Sequence, residues 1–167
     1  MVFETRRMRV RRIVPTDLDA MMAVYADLTL MRYVGDGTAM SLEDGVRWVD
    51  ITLANYEKRG YGLFLVECRE GGGHVGFVGL THPGGQEEPE IKYVIRPEFG
   101  GQGMAQELVN GTCVFGFEQK GLAVIIATVH PDNAASNHIL AKCGFARRPD
   151  RVEEDGAVTW VWELRAS

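Results

Sequence analysis

The chain is short of cysteine, of basic charge and of long apolar runs, and each shortage closes off a class of protein. Its 167 residues hold three cysteines, Cys68, Cys113 and Cys143, far apart and odd in number. That argues against a disulfide framework, and no CxxC or histidine-rich spacing offers a metal site. Buried, reduced thiols are the expectation. Lysine and arginine number 18 against 23 aspartates and glutamates, a formal net charge of -5. Nucleic acid asks for a basic face, so this balance speaks against it and fits, weakly, a cationic amine substrate. No apolar run approaches the roughly 20 residues of a membrane span. The opening Met-Val-Phe-Glu-Thr-Arg-Arg lacks an apolar core, so no secretory leader is expected, and the cytoplasm is the expected compartment.

What is present is the balance of one soluble domain over residues 1–167, with 46% hydrophobic and 25% charged residues. Met8 to Val14 reads as a first strand that Pro15 ends. Thr16 or Asp17 can cap a helix to about Leu30, with Leu18, Met21, Met22 and Tyr25 on one side. Residues 33–40 read as a loop by their glycines, and Ser41 is expected to cap a second helix to about Arg59 with a Val46, Val49, Leu53, Tyr56 stripe. Strands follow at 61–68, 75–81 and 90–96. A helix at 104–120, a strand at 122–129, a short helix at 133–143 and strands at 145–148 and 158–164 complete the order.

The densest signal is Ile95-Arg-Pro-Glu-Phe-Gly-Gly-Gln-Gly-Met-Ala105, between a strand and a helix. Strand, glycine turn, helix aims bare backbone N–H groups at an anion, and Gly101 and Gly103 carry no Cβ to hold a phosphate away. The turn also falls at the carboxyl end of a parallel crossover, where open α/β sheets bind ligands.

Two stretches, Arg96-Pro-Glu-Phe-Gly-Gly-Gln-Gly-Met-Ala105 and Asn133-Ala-Ala-Ser-Asn-His-Ile-Leu-Ala-Lys-Cys-Gly-Phe145, give the chain a wider likeness. With this element order it resembles the GNAT family of acyl-CoA-dependent N-acetyltransferases, over essentially its whole length. Within the family it looks like the ribosomal-protein alanine N-acetyltransferase branch. The resemblance implies an α/β (α+β) fold on a central mixed, mostly antiparallel twisted sheet of about seven strands with about four helices. The sheet is expected to splay between its fourth and fifth strands, residues 90–96 and 122–129. The resemblance also implies acetyl-CoA (coenzyme A) as cosubstrate, no metal, and an amine acceptor, either a protein N-terminus or a small molecule. It leaves a homodimer open.

The family's pyrophosphate loop reads Arg/Gln-x-x-Gly-x-Gly/Ala. Gly103 and Ala105 match its last positions, and Gly100 stands where the first side chain would be. Phosphate binding then leans on the backbone of Gly100, Gly101, Gln102, Gly103, Met104, Ala105 and Gln106 and on the helix dipole. The resemblance places the pantetheine arm like an added strand along Tyr93, Val94 and Ile95. It sets Asn133 on that arm and Ser136 near the sulfur.

Direct transfer needs a neutral amine, a thioester held close, a donor to the carbonyl oxygen and a hydrogen bond for the leaving thiolate. The backbone N–H near Val94 is the simplest donor to the oxygen. Glu90, at the start of the cleft strand, is the first candidate base, directly or through water. Its bland alternative is a solvated strand-end charge beside Glu87 and Glu88. His130 is a further candidate by residue type but is more simply structural, and His82 and His74 rank lower. Many relatives carry a tyrosine acid on the last cleft helix, where this chain has Leu140. Ser136 matches a serine proposed for that role in the resembling branch, its alternative being a cap to its own backbone. Tyr33, Asp36 and Trp48 are candidates for the acceptor pocket. Trp160 and Trp162 share a strand face suited to core or dimer packing.

Two rivals fit less well. A dinucleotide-binding domain would need a small residue where Gln106 stands and an acidic residue ending the next strand, and a P-loop would need Gly-Lys-Ser/Thr. A non-enzymatic domain of the same fold, sensing acyl-CoA or catalytically weak, stays open on these residues, because fold does not fix function.

Overall fold

Short strands, apolar on both faces at the centre, build one sheet, and among the described residues four helices cover its two faces. The computed structural model describes residues 1–27 and 40–167. Among these, the strands are β1 (Phe3–Glu4), β2 (Met8–Arg12), β3 (Leu63–Cys68), β4 (His74–Thr81), β5 (Glu90–Ile95), β6 (Val124–Val129), β7 (Ala146–Arg147), β8 (Arg151–Val152) and β9 (Val158–Arg165). The helices are α1 (Leu18–Tyr25), α2 (Leu42–Arg59), α3 (Met104–Val114) and α4 (Ala134–Lys142). The sheet runs β1-β2-β3-β4-β5-β6-β9-β7, with β8 also on β9. Every neighbouring pair is antiparallel except β5 and β6. All seven expected strands are present. The additions, β1 and β8, are two residues long and too short to show an alternation.

On one face, Met104, Leu108 and Val109 of α3 and Leu140 of α4 pack on Phe64, Val78 and Ile91. On the other, Met21 and Val24 of α1 and Val49 of α2 pack on Leu65, Phe77 and Val94. β5 therefore sends Ile91 to the α3/α4 face and Val94 to the α1/α2 face, as its period of two requires.

Ser41 caps α2 by accepting from the Asp44 N–H at 3.2 Å, and Gly60 ends it in the left-handed region at φ 76°. The buried stripe of α2 is Gly45, Val49, Thr52 and Tyr56, and Val46, expected inside, is exposed. The helix is rolled because α1 crosses at Gly45, where a Cβ would stand 2.7 Å from the Met22 sulfur. The first expected helix starts as its pattern requires, with Asp17 at the N-cap of α1 after a 3-10 turn at Pro15–Asp17, but α1 ends at Tyr25; its expected end near Leu30 lies outside the described residues. α3 stops at Val114, and Phe115–Gln119 continue as a wider π turn in which Phe115 stacks on Phe3, ring centroids 5.3 Å apart.

Candidate active site

The sheet opens where the crossover strands part. Among the described residues the only ladder pair between β5 and β6 is Glu90 with Ile126, next to a bond from the Ile126 N–H to the Pro89 carbonyl at 2.9 Å. Beyond it the strands diverge. On the other side of β5, the Arg96 N–H donates to the Val75 carbonyl at 2.8 Å. Bonded pairs of an antiparallel ladder recur at every second residue, so Val94 and Lys92 turn their backbone groups to β4. Tyr93 and Ile95 turn theirs toward the gap. Near Val94, where a donor was expected, the N–H groups facing the opening are those of Tyr93 and Ile95. On β6, the Ala166 N–H donates to the Ala123 carbonyl, so the same alternation leaves the backbone of Thr128 on the gap side. Two strand edges thus face each other without pairing, a shape an extended amide-bearing chain can enter.

The glycine turn sits at the wide end of this gap. Gly101 and Gly103 have φ of 73° and 76°, the left-handed region that glycine occupies without strain. Gly103 is the N-cap of α3 and offers no side-chain cap, so among the described residues the first-turn N–H groups of Met104, Ala105 and Gln106 have no side-chain acceptor. A Cβ at Gly101 would meet nothing within 4 Å, and one at Gly103 only an Arg7 guanidinium nitrogen at 3.7 Å. The cradle is open space that a side chain would fill. Gly100, by contrast, has an ordinary φ of -72°, so its backbone does not demand glycine.

Arg7 is a residue of this loop that the sequence reading missed. Its Nη1 donates to the Gln102 carbonyl at 2.8 Å and its Nε to Glu107 Oε1 at 2.8 Å. Glu107 also accepts from the Arg7 backbone N–H at 2.9 Å and from the Thr5 hydroxyl at 2.6 Å. Burial pushes the Glu107 carboxyl up, but these bonds outweigh it and hold the group below its ordinary range. Glu107 lies in the first turn of α3, so this network ties the segment before β2 to the rim of the cradle.

Glu90 is not a solvated strand-end charge: it is 1% exposed. Its Oε2 accepts from the Thr128 hydroxyl at 2.7 Å, across the closed end of the gap, and pairs with the Lys92 ammonium. Its Oε1 accepts from Gln86 at 3.3 Å. Glu90 and Lys92 share the α1/α2 face of β5. Glu88 does stay near the surface, its carboxyl held low by hydrogen bonding to Arg148. The three histidines considered beside Glu90 hold structure. His130 Nδ1 accepts from the Asp132 N–H in the turn before α4. His82 lies between the Tyr61 hydroxyl and the Gln86 carbonyl. His74 contacts the Gly76 carbonyl and is lowered by burial.

Ser136 comes from the opposite face. Asn133 caps α4 through a bond from the Ser136 N–H to its Oδ1 at 3.2 Å. The Ser136 hydroxyl is 2.5 Å from the Tyr93 hydroxyl, so it faces the cleft strand and not its own helix. Asn137 fixes this end of α4: it accepts from the Trp162 indole N–H at 2.9 Å and donates to the His130 and Pro131 carbonyls. Trp162 thus belongs to the core, while Trp160 lies under the Arg147 guanidinium, 3.8 Å from the ring centroid. Trp48 leans on Tyr25 at 5.3 Å. Tyr33 and Asp36 lie outside the described residues. The three cysteines are free, and burial pushes Cys113 up to about 12.

The acetyltransferase (GNAT) domain family matches residues 7–146, a span that holds the parted strands, the cradle and α4. The chain belongs to the GNAT acetyltransferase family. An uncharacterized N-acetyltransferase of Bacillus subtilis, YoaA, is 34% identical over 149 residues, covering 87% of this GNAT chain and 83% of that protein. The fold is shared with the ribosomal-protein-S5-alanine acetyltransferase of Vibrio fischeri (TM-score 0.78, 19% identity, 98% and 95% of the chains). It is shared also with the spermidine N-acetyltransferase of Vibrio cholerae, solved with CoA and spermine (TM-score 0.78, 20% identity, 95% of each chain). The mostly antiparallel, splayed sheet of this GNAT domain is the architecture its sequence led one to expect. Among the described residues no cluster of His, Cys, Asp and Glu is arranged to hold a metal, and no helix is long and apolar enough to cross a membrane.

Proposed function

We propose that this GNAT domain moves an acetyl group from acetyl-CoA to a primary amine by direct attack. One observation carries the proposal: Glu90 and Ser136 approach the same backbone gap from opposite faces of the sheet. A carboxylate on one side can take the amine's proton, directly or through water, while a hydroxyl on the other meets the leaving sulfur. An amine and a thioester entering from two sides would meet without an intermediate carrier on the protein.

The residues present fit the cosubstrate. The Gly101 to Gln106 backbone and the α3 N-terminus would hold its pyrophosphate, with Arg7 as the nearby cation. The backbone groups of Tyr93 and Ile95 would pair with the pantetheine amides, and an N–H there can meet the carbonyl oxygen as it takes on charge. Bound there, acetyl-CoA supplies an activated acyl group whose thiol leaves readily. Asn133 would stand beside the arm. The acceptor is a protein N-terminus or a small-molecule amine. Spermine beside CoA in the Vibrio cholerae structure and the alanine named for the Vibrio fischeri enzyme support both classes.

Calorimetry with CoA, followed by thiol release from acetyl-CoA across a panel of polyamines, amino acids and N-terminal peptides, tests this reading. Micromolar CoA binding and turnover with at least one amine are expected. Gly103→Ala should weaken CoA binding by roughly tenfold or more, because its methyl group enters the cradle. Tight CoA binding without turnover on any amine would favour the sensor, and absence of CoA binding would overturn both.

A further inference from the structure

Tyr93 brings to the cleft a side chain that the proposed reaction does not use. Its ring leaves β5 on the face covered by α3 and α4, and its hydroxyl reaches Ser136 Oγ at 2.5 Å. On the same face of α4, one turn beyond Ser136, Leu140 is fully buried and apolar. Tyr93 is therefore the hydroxyl partner the fold gives Ser136. Two oxygens this close share one hydrogen, and the second hydrogen must point elsewhere. A phenol is the stronger acid and hence the better donor of the two, so Tyr93 donates and Ser136 accepts. That leaves the Ser136 hydrogen directed away from Tyr93.

We infer that Tyr93 is a positioning residue that fixes the Ser136 hydroxyl so that its hydrogen meets the thiolate leaving acetyl-CoA. The inference rests on the reading under Proposed function. No proton need pass from Tyr93. A thiol ionises near 8.5 and a phenol near 10, at about their ordinary values, so moving the phenol's proton to a thiolate is uphill. Burial raises Tyr93 further and keeps it protonated at neutral pH. Cys143, whose thiolate would raise Tyr93 further, is itself raised by burial and stays a neutral thiol. In the transfer the C–N bond forms and the C–S bond breaks. The electron pair leaves on sulfur, and the amine's proton goes to Glu90 or water. The pair of hydroxyls contributes one oriented hydrogen bond to the sulfur.

The test needs no knowledge of the acceptor. CoA with its free thiol is bound to the wild type, Tyr93→Phe, Ser136→Ala and the double variant. The bound thiol is titrated by its thiolate absorbance, with affinity measured by calorimetry on the same samples. In the wild type the thiol should ionise about tenfold more readily than in free CoA. Each single variant should return it toward the free value while CoA affinity stays within about threefold, and the double variant should go no further, because Tyr93 acts only through Ser136. A wild-type thiol that titrates as in free CoA, a Tyr93→Phe protein that behaves as wild type, or effects that add in the double variant would overturn the inference alone. A wild type that does not bind CoA would overturn the functional reading, and the inference with it.

Discussion

At residue 100 a glycine stands where the resemblance led one to expect a side chain for the phosphates. A guanidinium reaches the loop instead from Arg7, held by Glu107 and by the Gln102 carbonyl. A fork pinned on two sides is a better anion partner than a free side chain, since less rotamer freedom is lost when a phosphate arrives. Arg7→Ala should therefore weaken CoA binding about tenfold, with a shallower salt dependence, and Arg7→Lys should recover only part, because one ammonium cannot hold Glu107 and Gln102 together. Calorimetry at two ionic strengths measures this, and an unchanged affinity in Arg7→Ala would remove Arg7 from the loop's chemistry. The glycines and the Ser41 cap were legible because each announces itself within a few residues, and Ser136 entered through the resemblance of its stretch. Arg7 was not: 95 residues separate it from Gln102, and among five neighbouring arginines nothing local marks it. The burial of Glu90 was hidden for the same reason, since Thr128 and Gln86 reach it through the fold, and its acidic neighbours suggested solvent.

At the scale of elements, the gap depends on how tightly β4 holds β5. A Cβ on Gly76 would lie 2.0 Å from the Val94 carbonyl oxygen, and one on Gly79 would lie 2.2 Å from the Gly62 carbonyl oxygen. Both clashes are with backbone, so something in the sheet must shift. The directions differ: Gly76 presses on β5, beside the exposed edge of Tyr93 and Ile95, and Gly79 presses on the chain entering β3. Each alanine substitution should destabilise the fold by about 2–3 kcal/mol or more. CoA affinity of the folded protein should fall in Gly76→Ala and hold in Gly79→Ala. Urea unfolding with calorimetry compares them, and equal affinities would show that the placement of β5 does not govern the gap. No sequence pattern separates these two glycines, which both read as strand positions on the same ladder. Patterns of period 2 and 3.6 found the long strands and the helices, but they set α2's stripe wrongly at Val46, because the close crossing at Gly45 decides which side turns inward.

At the scale of the whole molecule, ionic clamps join the layers. Asp17 bonds Arg11 and ties the turn before α1 to β2; Glu107 bonds Thr5 and Arg7 and ties α3 to the N-terminal segment; Glu88 bonds Arg148 and ties the turn before β5 to the chain beyond β7. In the folded state all three carboxyls lie below their ordinary values, Asp17 and Glu88 chiefly through their arginine hydrogen bonds. A carboxyl depressed in this way contributes stability that is complete above its unfolded value and lost as pH falls through the folded one. His74 adds to the same trend from a different cause. Burial lowers it from 6.5, so below that pH the unfolded chain takes up a proton that the folded chain resists. Stability should therefore begin to decline as pH drops through 6.5 and fall more steeply below 4.5, the ordinary value of Glu88 and Glu107. Urea midpoints between about pH 7 and about pH 3.5 measure the curve. His74→Gln should flatten the upper part and leave the lower part intact. A profile level from 6.5 down to 4.5 would show that His74 is not held neutral by the fold, and one level below 4.5 would show that the three clamps do not hold the layers together.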